Sequence, residues 1–176
     1  MRWARSRCAA LLVLGVLGLL LVSARAAPAP DNAQLKAAFI YRFAQFTQWP
    51  PPPLREFTYC VAGNAGMQSA LQGLTLKSHE GASSRLLVVM EPQQAQQCQL
   101  LLLGFTERAE LQRWQQALSA EPVLVVGDSA EAFGNGAVIA LVLEPNGLSF
   151  RINHTEAKRR GLTLSSQMLK LAREVK

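Results

Sequence analysis

The sequence predicts a single-domain α/β sandwich, with a mixed, mostly parallel sheet flanked by helices. Apolar strand-like runs alternate with helical periodicities through the middle of the chain. One tight-turn signal, Pro145-Asn146-Gly147, adds an antiparallel hairpin to pairings that are otherwise parallel. The 176 residues suit one domain rather than two. With 49% hydrophobic residues, and Leu and Val spread throughout, the chain as a whole is not disordered.

Asp31 and Asn32 are helix N-cap types, and Leu35, Ala38, Phe39, Phe43 and Phe46 follow at spacings of three and four. That spacing marks an amphipathic helix, stopped by Trp49 and the run Pro50-Pro51-Pro52-Pro53. Residues 57–62 read as a strand, and Gly63-Asn64-Ala65-Gly66 opens a short helix around 67–71. Residues 85–90 and 100–103 read as buried strands. Thr106 caps a helix with Glu107 and Glu110 in its first turn and Leu111, Trp114 and Leu118 on one face. Residues 123–126 and 137–143 are further strands, and 148–152 pairs back across the hairpin. Asn153 with Glu156 has the spacing of a capping box for a short basic helix through Arg160, closed by Gly161. Leu164, Met168, Leu171, Ala172 and Val175 share a face of the closing helix.

The first 26 residues read as an export signal, leaving a mature domain at 27–176. Arg2, Arg5 and Arg7 precede a 14-residue apolar run at 9–22, and Ala24-Arg25-Ala26 is a small-x-small cleavage site. The run is short for a hydrocarbon core that wants about 20 residues, which disfavours a retained anchor. Cys8 precedes the run, where a lipidated cysteine would follow it. Removing the leader lowers the formal charge from +6 to +2, because four arginines and no acids leave with it. The concentrated basic surface that nucleic-acid binding needs is then missing. The remaining excess is uneven: residues 151–176 carry a net +5 and residues 27–150 a net −3. Arg151, Lys158, Arg159 and Arg160 are the candidate face for docking an acidic partner; the alternative is a solvated helix face.

Cys60 and Cys98 are the two mature cysteines and admit one intramolecular pairing. The alternative is a pair of buried free thiols; no CxxC or HxH spacing points to a metal. No catalytic residue, metal ligand or cofactor site is expected. The Gly63–Gly66 loop lacks the Lys-Ser/Thr of a phosphate loop and the third glycine of a dinucleotide fingerprint. Only His79 and His154 could serve as imidazole bases, and Ser129, Ser149, Ser165 and Ser166 sit in no nucleophile elbow. The expectation is a binding protein rather than an enzyme.

Three segments together resemble the YfiR-like family of exported bacterial proteins. They are the helix from Lys36-Ala37-Ala38-Phe39-Ile40-Tyr41-Arg42 to Gln48-Trp49-Pro50, the run Val123-Leu124-Val125-Val126-Gly127-Asp128-Ser129, and Phe150-Arg151-Ile152-Asn153 with Gly161-Leu162-Thr163-Leu164-Ser165-Ser166 through Ala172. Cys60 and Cys98 also fall where that family carries a cysteine pair. The resemblance implies a periplasmic α/β protein that represses an inner-membrane diguanylate cyclase through its periplasmic sensor region, lowering cyclic-di-GMP and biofilm formation. It further implies a homodimer, a stabilising disulfide and an outer-membrane lipoprotein as a second partner. A second cysteine pair found in some relatives is lacking. The alternative function is a periplasmic small-ligand-binding accessory protein of a transport system.

Overall fold

The computed structural model describes residues 32–176. The export signal and the capping role expected of Asp31 lie outside the described residues.

Helix α1 spans Asn32–Gln45, followed by β1 (Thr47–Gln48) and β2 (Glu56–Ala62). A 3₁₀ turn (Ala65–Met67) leads into α2 (Gln68–Gln72), a second 3₁₀ turn (Gly73–Leu76) and β3 (Ser83–Val88). A third 3₁₀ segment (Pro92–Gln97) precedes β4 (Leu100–Leu103), α3 (Arg108–Ala117), β5 (Leu124–Gly127) and α4 (Ala130–Gly134). The chain continues through β6 (Ile139–Glu144), β7 (Gly147–Ile152), α5 (His154–Arg159), β8 (Thr163–Leu164), α6 (Ser166–Leu171) and β9 (Glu174–Val175). Seven strands form one sheet in the order β3-β2-β4-β5-β6-β7-β9, and β1 pairs with β8 apart from it. Every pairing in the large sheet is parallel except the β6–β7 hairpin. The expected α/β class and mixed, mostly parallel sheet are therefore what the chain adopts.

Strand alternation sends each central strand into two cores. Tyr59, Val61, Leu100, Leu102, Leu124 and Val126 face a layer built from α1, α2, α5 and α6. Cys60, Ala62, Leu101, Leu103, Val123 and Val125 face α3, α4 and the Pro92–Gln97 segment. All four residues of β4 are buried, as a strand covered on both sides requires. Cys60 and Cys98 are bonded in the second layer, with Cα atoms 6.0 Å apart. The bond ties β2 to the segment entering β4.

Several sequence expectations are corrected. Residues 85–90 were expected to form a buried strand; β3 instead runs Ser83–Val88 at the sheet edge, with Arg85 and Val88 exposed. Arg85 guards that edge by bonding Thr58 Oγ1 (2.9 Å) and Glu56 (2.8 Å). Thr106 does not cap α3, which begins at Arg108 after Glu107. Phe105 is packed over Gly63, so the loop runs further before it can turn. The closing helix is much shorter than its periodicity suggests. Leu164 is drawn into β8 opposite Thr47, Ser165 caps α6 by accepting the Met168 N–H, and Glu174–Val175 joins the sheet. The Asn153 box is half formed: Asn153 accepts the Glu156 N–H at 3.0 Å, while the Glu156 carboxylate turns to Arg159 and Arg160.

His79 is enclosed, at 4% exposure. Its ring lies 4.2 Å from that of Phe57 and 5.5 Å from that of Trp49, and its Nε2 has no hydrogen-bond partner. Its backbone closes the turn to Ala82 in both directions, with Glu80 and Gly81 at positive φ between them. Burial holds the imidazole pKa below its ordinary value, against an opposing pull from Glu80.

Two outcomes follow from this packing. Replacing Cys60 and Cys98 by Ala opens a crosslink across 38 positions, for which loop entropy predicts about 4 kcal/mol of lost stability; equilibrium urea unfolding measures it. The unfolded His79 has its ordinary pKa near 6.5 and the folded one a lower value, so the unfolded state takes up a proton first. The His79 contribution is thus complete above that pH and is lost as pH falls below it, by at most about 1.4 kcal/mol per pH unit. His79→Phe should flatten this part of the stability–pH curve.

Candidate docking site

Helix α1 is apolar over a wider arc than one contact can absorb. The side turned to the sheet buries Ala37, Ile40, Phe43 and Ala44. The stripe read from the sequence lies partly off that side: Ala38 is exposed, and Leu35, Phe39 and Phe46 are half-buried. These residues form one wall of a groove of about 610 Å³, opposite Gln167, Met168 and Leu171 of α6. Phe43 and Phe150 lie at its base, with ring centroids 5.0 Å apart and edge to face. Phe39 meets both rings at 6.0 Å. This aromatic trio fixes the angle at which α1 crosses the sheet.

The groove's charge is one-sided. Arg42 and Lys77 line it, and none of its lining residues is acidic. The Lys77 ammonium sits 4.2 Å above the Tyr41 ring, and Arg42 donates to the Gln45 side chain at 3.1 Å. Neither cation has a carboxylate within ion-pair distance among the described residues. An apolar trough with two unneutralised cations suits an amphipathic, acidic surface.

The sequence-nominated basic cluster is dispersed. Arg160 is buried, with its side chain fully enclosed. Its guanidinium donates to Glu156 Oε1 (2.7 Å), Leu118 O (2.9 Å) and Gln115 Oε1 (2.8 Å), pinning α5 to the end of α3. Burial lowers the Arg160 pKa, against the pull of Glu156. Burial alone would raise the Glu156 pKa, but hydrogen bonds from Arg159 and Arg160 outweigh it and hold the carboxyl below its ordinary value. The docking expectation for Arg160 is corrected on this ground: its charge is used inside the fold. Arg159 is exposed but tied to Glu156 (2.6 Å) and to Ser119 O (2.8 Å). Arg151 stands on β7, 3.5 Å from Glu174. Lys158 is exposed and has no ion pair among the described residues. The cluster and the groove were not linked in the sequence, since the groove's cations, Arg42 and Lys77, are isolated there.

The crevice where doubly wound sheets usually take ligands is filled by the chain itself. It lies between the loops after β2 and β4, where the strand order reverses. A side chain at Gly104 would collide with Asn64, and one at Gly63 with the Phe105 ring. Asn64 caps the Met67 N–H (3.2 Å) and donates to Asp128 Oδ2 (2.7 Å), while Lys36 pairs with Asp128 Oδ1 (2.6 Å). The Gly63–Gly66 loop is thus a packed turn. No three His, Cys, Asp or Glu side chains gather to hold a metal among the described residues. No helix among them is long and apolar enough to cross a membrane.

Strand order β3-β2-β4-β5-β6 is the flavodoxin-like arrangement, here extended by an antiparallel hairpin and a final short strand. The molecule is a doubly wound α/β domain with an open apolar groove on one layer. The chain belongs to the YfiR/HmsC-like family, whose sequence pattern it matches over residues 33–173. No curated protein matches it. Among solved structures, a conserved domain protein from Vibrio cholerae O1 biovar El Tor strain N16961 superposes with a TM-score of 0.58 at 13% identity, over 82% of this chain and 60% of that one. The ABC domain from Streptococcus pneumonia, solved with L-Trp, gives 0.54 at 9% identity, again over 82% and 60%. The chain therefore spans about 60% of the length of these structures. Likeness at such identities shows the fold alone.

The two arginines of α5 should separate cleanly. Arg160→Ala leaves Glu156 to Arg159 alone and strands two internal acceptors, Leu118 O and Gln115 Oε1, and should lower stability by about 3 kcal/mol. Arg159→Ala should cost under about 1 kcal/mol, and Lys158→Ala should leave thermal unfolding unchanged.

Proposed function

We propose that this protein is an exported, non-catalytic regulator that restrains an inner-membrane diguanylate cyclase by binding its periplasmic sensor region. Cyclic-di-GMP and biofilm formation fall as a result. Family membership supports the reading. The observation that carries it is the groove between α1 and α6, apolar at its base and cationic at its rim. Such a surface buries an apolar anchor while its cations steer an acidic partner into place. The domain is exported behind the leader at 1–26, acts as a homodimer, and is withdrawn from the cyclase by an outer-membrane lipoprotein competing for it. A second reading, a small-ligand-binding accessory protein of a transport system, draws on the groove's volume of about 610 Å³, which lies within the range of small-molecule pockets.

Substitutions at exposed groove positions separate these readings. Ala38→Asp and Leu171→Asp leave the buried core intact and should weaken binding to the cyclase's sensor region at least tenfold. Cellular cyclic-di-GMP, measured by mass spectrometry, should rise with them. Arg42→Glu should weaken binding mainly at low salt. Repression equal to the unsubstituted protein at equal abundance refutes the groove as the docking surface, and cyclic-di-GMP unchanged on removing the protein altogether refutes the cyclase reading. A metabolite that raises the thermal midpoint of the purified protein, with no cyclase bound, favours the transport reading.

A further inference from the structure

Strand β9 is a short cover on the sheet edge beside the groove. It has two residues, both exposed, paired only with Arg151 and Ile152 of the six-residue β7. Phe150 O accepts the Arg173 N–H (2.9 Å) and Ile152 O the Lys176 N–H (3.0 Å). No strand covers Gly147, Leu148 or Ser149 on that side among the described residues. Phe150, the ring at the groove's base, belongs to this same strand. Two of the large exposed apolar side chains also border it: Leu143, opposite Leu148 on β6, at 56%, and Leu171, beside Phe150 in the groove, at 67%. An open strand edge flanked by exposed apolar side chains is a template for strand addition.

The chain's own cover defines what fits. Glu174 stands opposite Arg151 and pairs with it at 3.5 Å, and Val175 follows opposite Ile152. Arg151 is half-buried and Glu174 exposed, and at 3.5 Å the Arg151 Nε makes no hydrogen bond to the carboxylate, so the latch holds weakly. When β9 leaves, Arg151 loses its carboxylate and the outer backbone groups of Phe150 and Ile152 lose their partners. The His154 and Thr155 N–H bonds to Lys176 O (2.7 and 3.2 Å) and the Lys176 ammonium's bond to Phe133 O (3.3 Å) are given up as well, while the Arg173–Glu144 pair can stay as the hinge.

We propose that the outer edge of β7 accepts an extended segment of a partner protein in place of β9, with an acidic residue opposite Arg151 followed by an aliphatic one opposite Ile152. The cyclase's sensor region as that partner rests on the preceding section; the edge itself does not. The surface joins the groove through Phe150, so one partner can use both.

The test uses the full chain and the peptide Lys-Leu-Ala-Arg-Glu-Val-Lys, the sequence of residues 170–176. Glu174→Arg sets like charges opposite each other and frees the edge. Titrating the peptide into this variant should give saturable NMR shifts at the Arg151 and Ile152 amides. The same peptide with Lys in place of Glu should bind at least fivefold more weakly. In the Arg151→Cys/Glu174→Cys variant, the oxidised crosslink should abolish the shifts. Absence of saturable shifts in Glu174→Arg, or equal binding to the crosslinked form, overturns the proposal. A doubled mass for Glu174→Arg that the peptide does not disperse assigns the edge to a second copy and likewise overturns it. No cyclase enters the measurement, so its result is independent of the regulator reading.

Discussion

A sheet whose central strands are apolar on both sides must be covered on both sides. In this chain β4 is buried along its whole length and sends Leu100 and Leu102 to one layer, Leu101 and Leu103 to the other. The second layer closes tightly around Trp114, fully buried between the sheet and Phe105, with the Cys60–Cys98 bond locking β2 to the approach of β4. The first layer closes incompletely. Helix α1 crosses it on Phe43, α6 has six residues, and the space between them stays open above Phe150. The groove is thus what two-sided coverage leaves when one covering helix is short.

Charge divides along the same lines. The basic excess of the last 26 residues suggested an outward-facing patch, yet its densest part is turned inward or neutralised. Arg160 serves as a pin between α5 and the α3–β5 connection, Arg159 shares the Glu156 carboxylate, and Arg151 and Arg173 are matched by Glu174 and Glu144. The cations free to meet a partner at the groove are Arg42 and Lys77, which sequence density did not mark. Counting charge along a chain measures supply; pairing in space decides what is left over.

Much of the fold was legible because local rules and tertiary needs agreed. The all-aliphatic β4 and the Pro145-Asn146-Gly147 hairpin each carried one meaning, and the cysteine pair, read as either a bridge or two free thiols, is a bridge. Legibility failed where a distant partner outbid a local pattern. Leu164 and Val175 fit a helical face, but Thr47 and Ile152 recruited them into strands. Residues 85–90 looked like a buried strand because apolar content cannot distinguish an edge from a centre. Of the candidate site, the α1 stripe was visible as Leu35, Ala38, Phe39, Phe43 and Phe46. That most of it faces an opening rather than the core depends on α6 ending at Leu171, which no periodicity announces.

On the proposed reading the layer of α1 and α6, rather than the opposite layer, meets the partner. Backbone hydrogen–deuterium exchange of the protein, alone and mixed with the isolated sensor region of the proposed cyclase partner, tests this across the molecule at once. Slowed exchange should concentrate in residues 32–46, around Lys77 and Phe150, and in residues 166–176. Protection concentrated instead on α3 and α4, with α1 and α6 unchanged, would contradict the account.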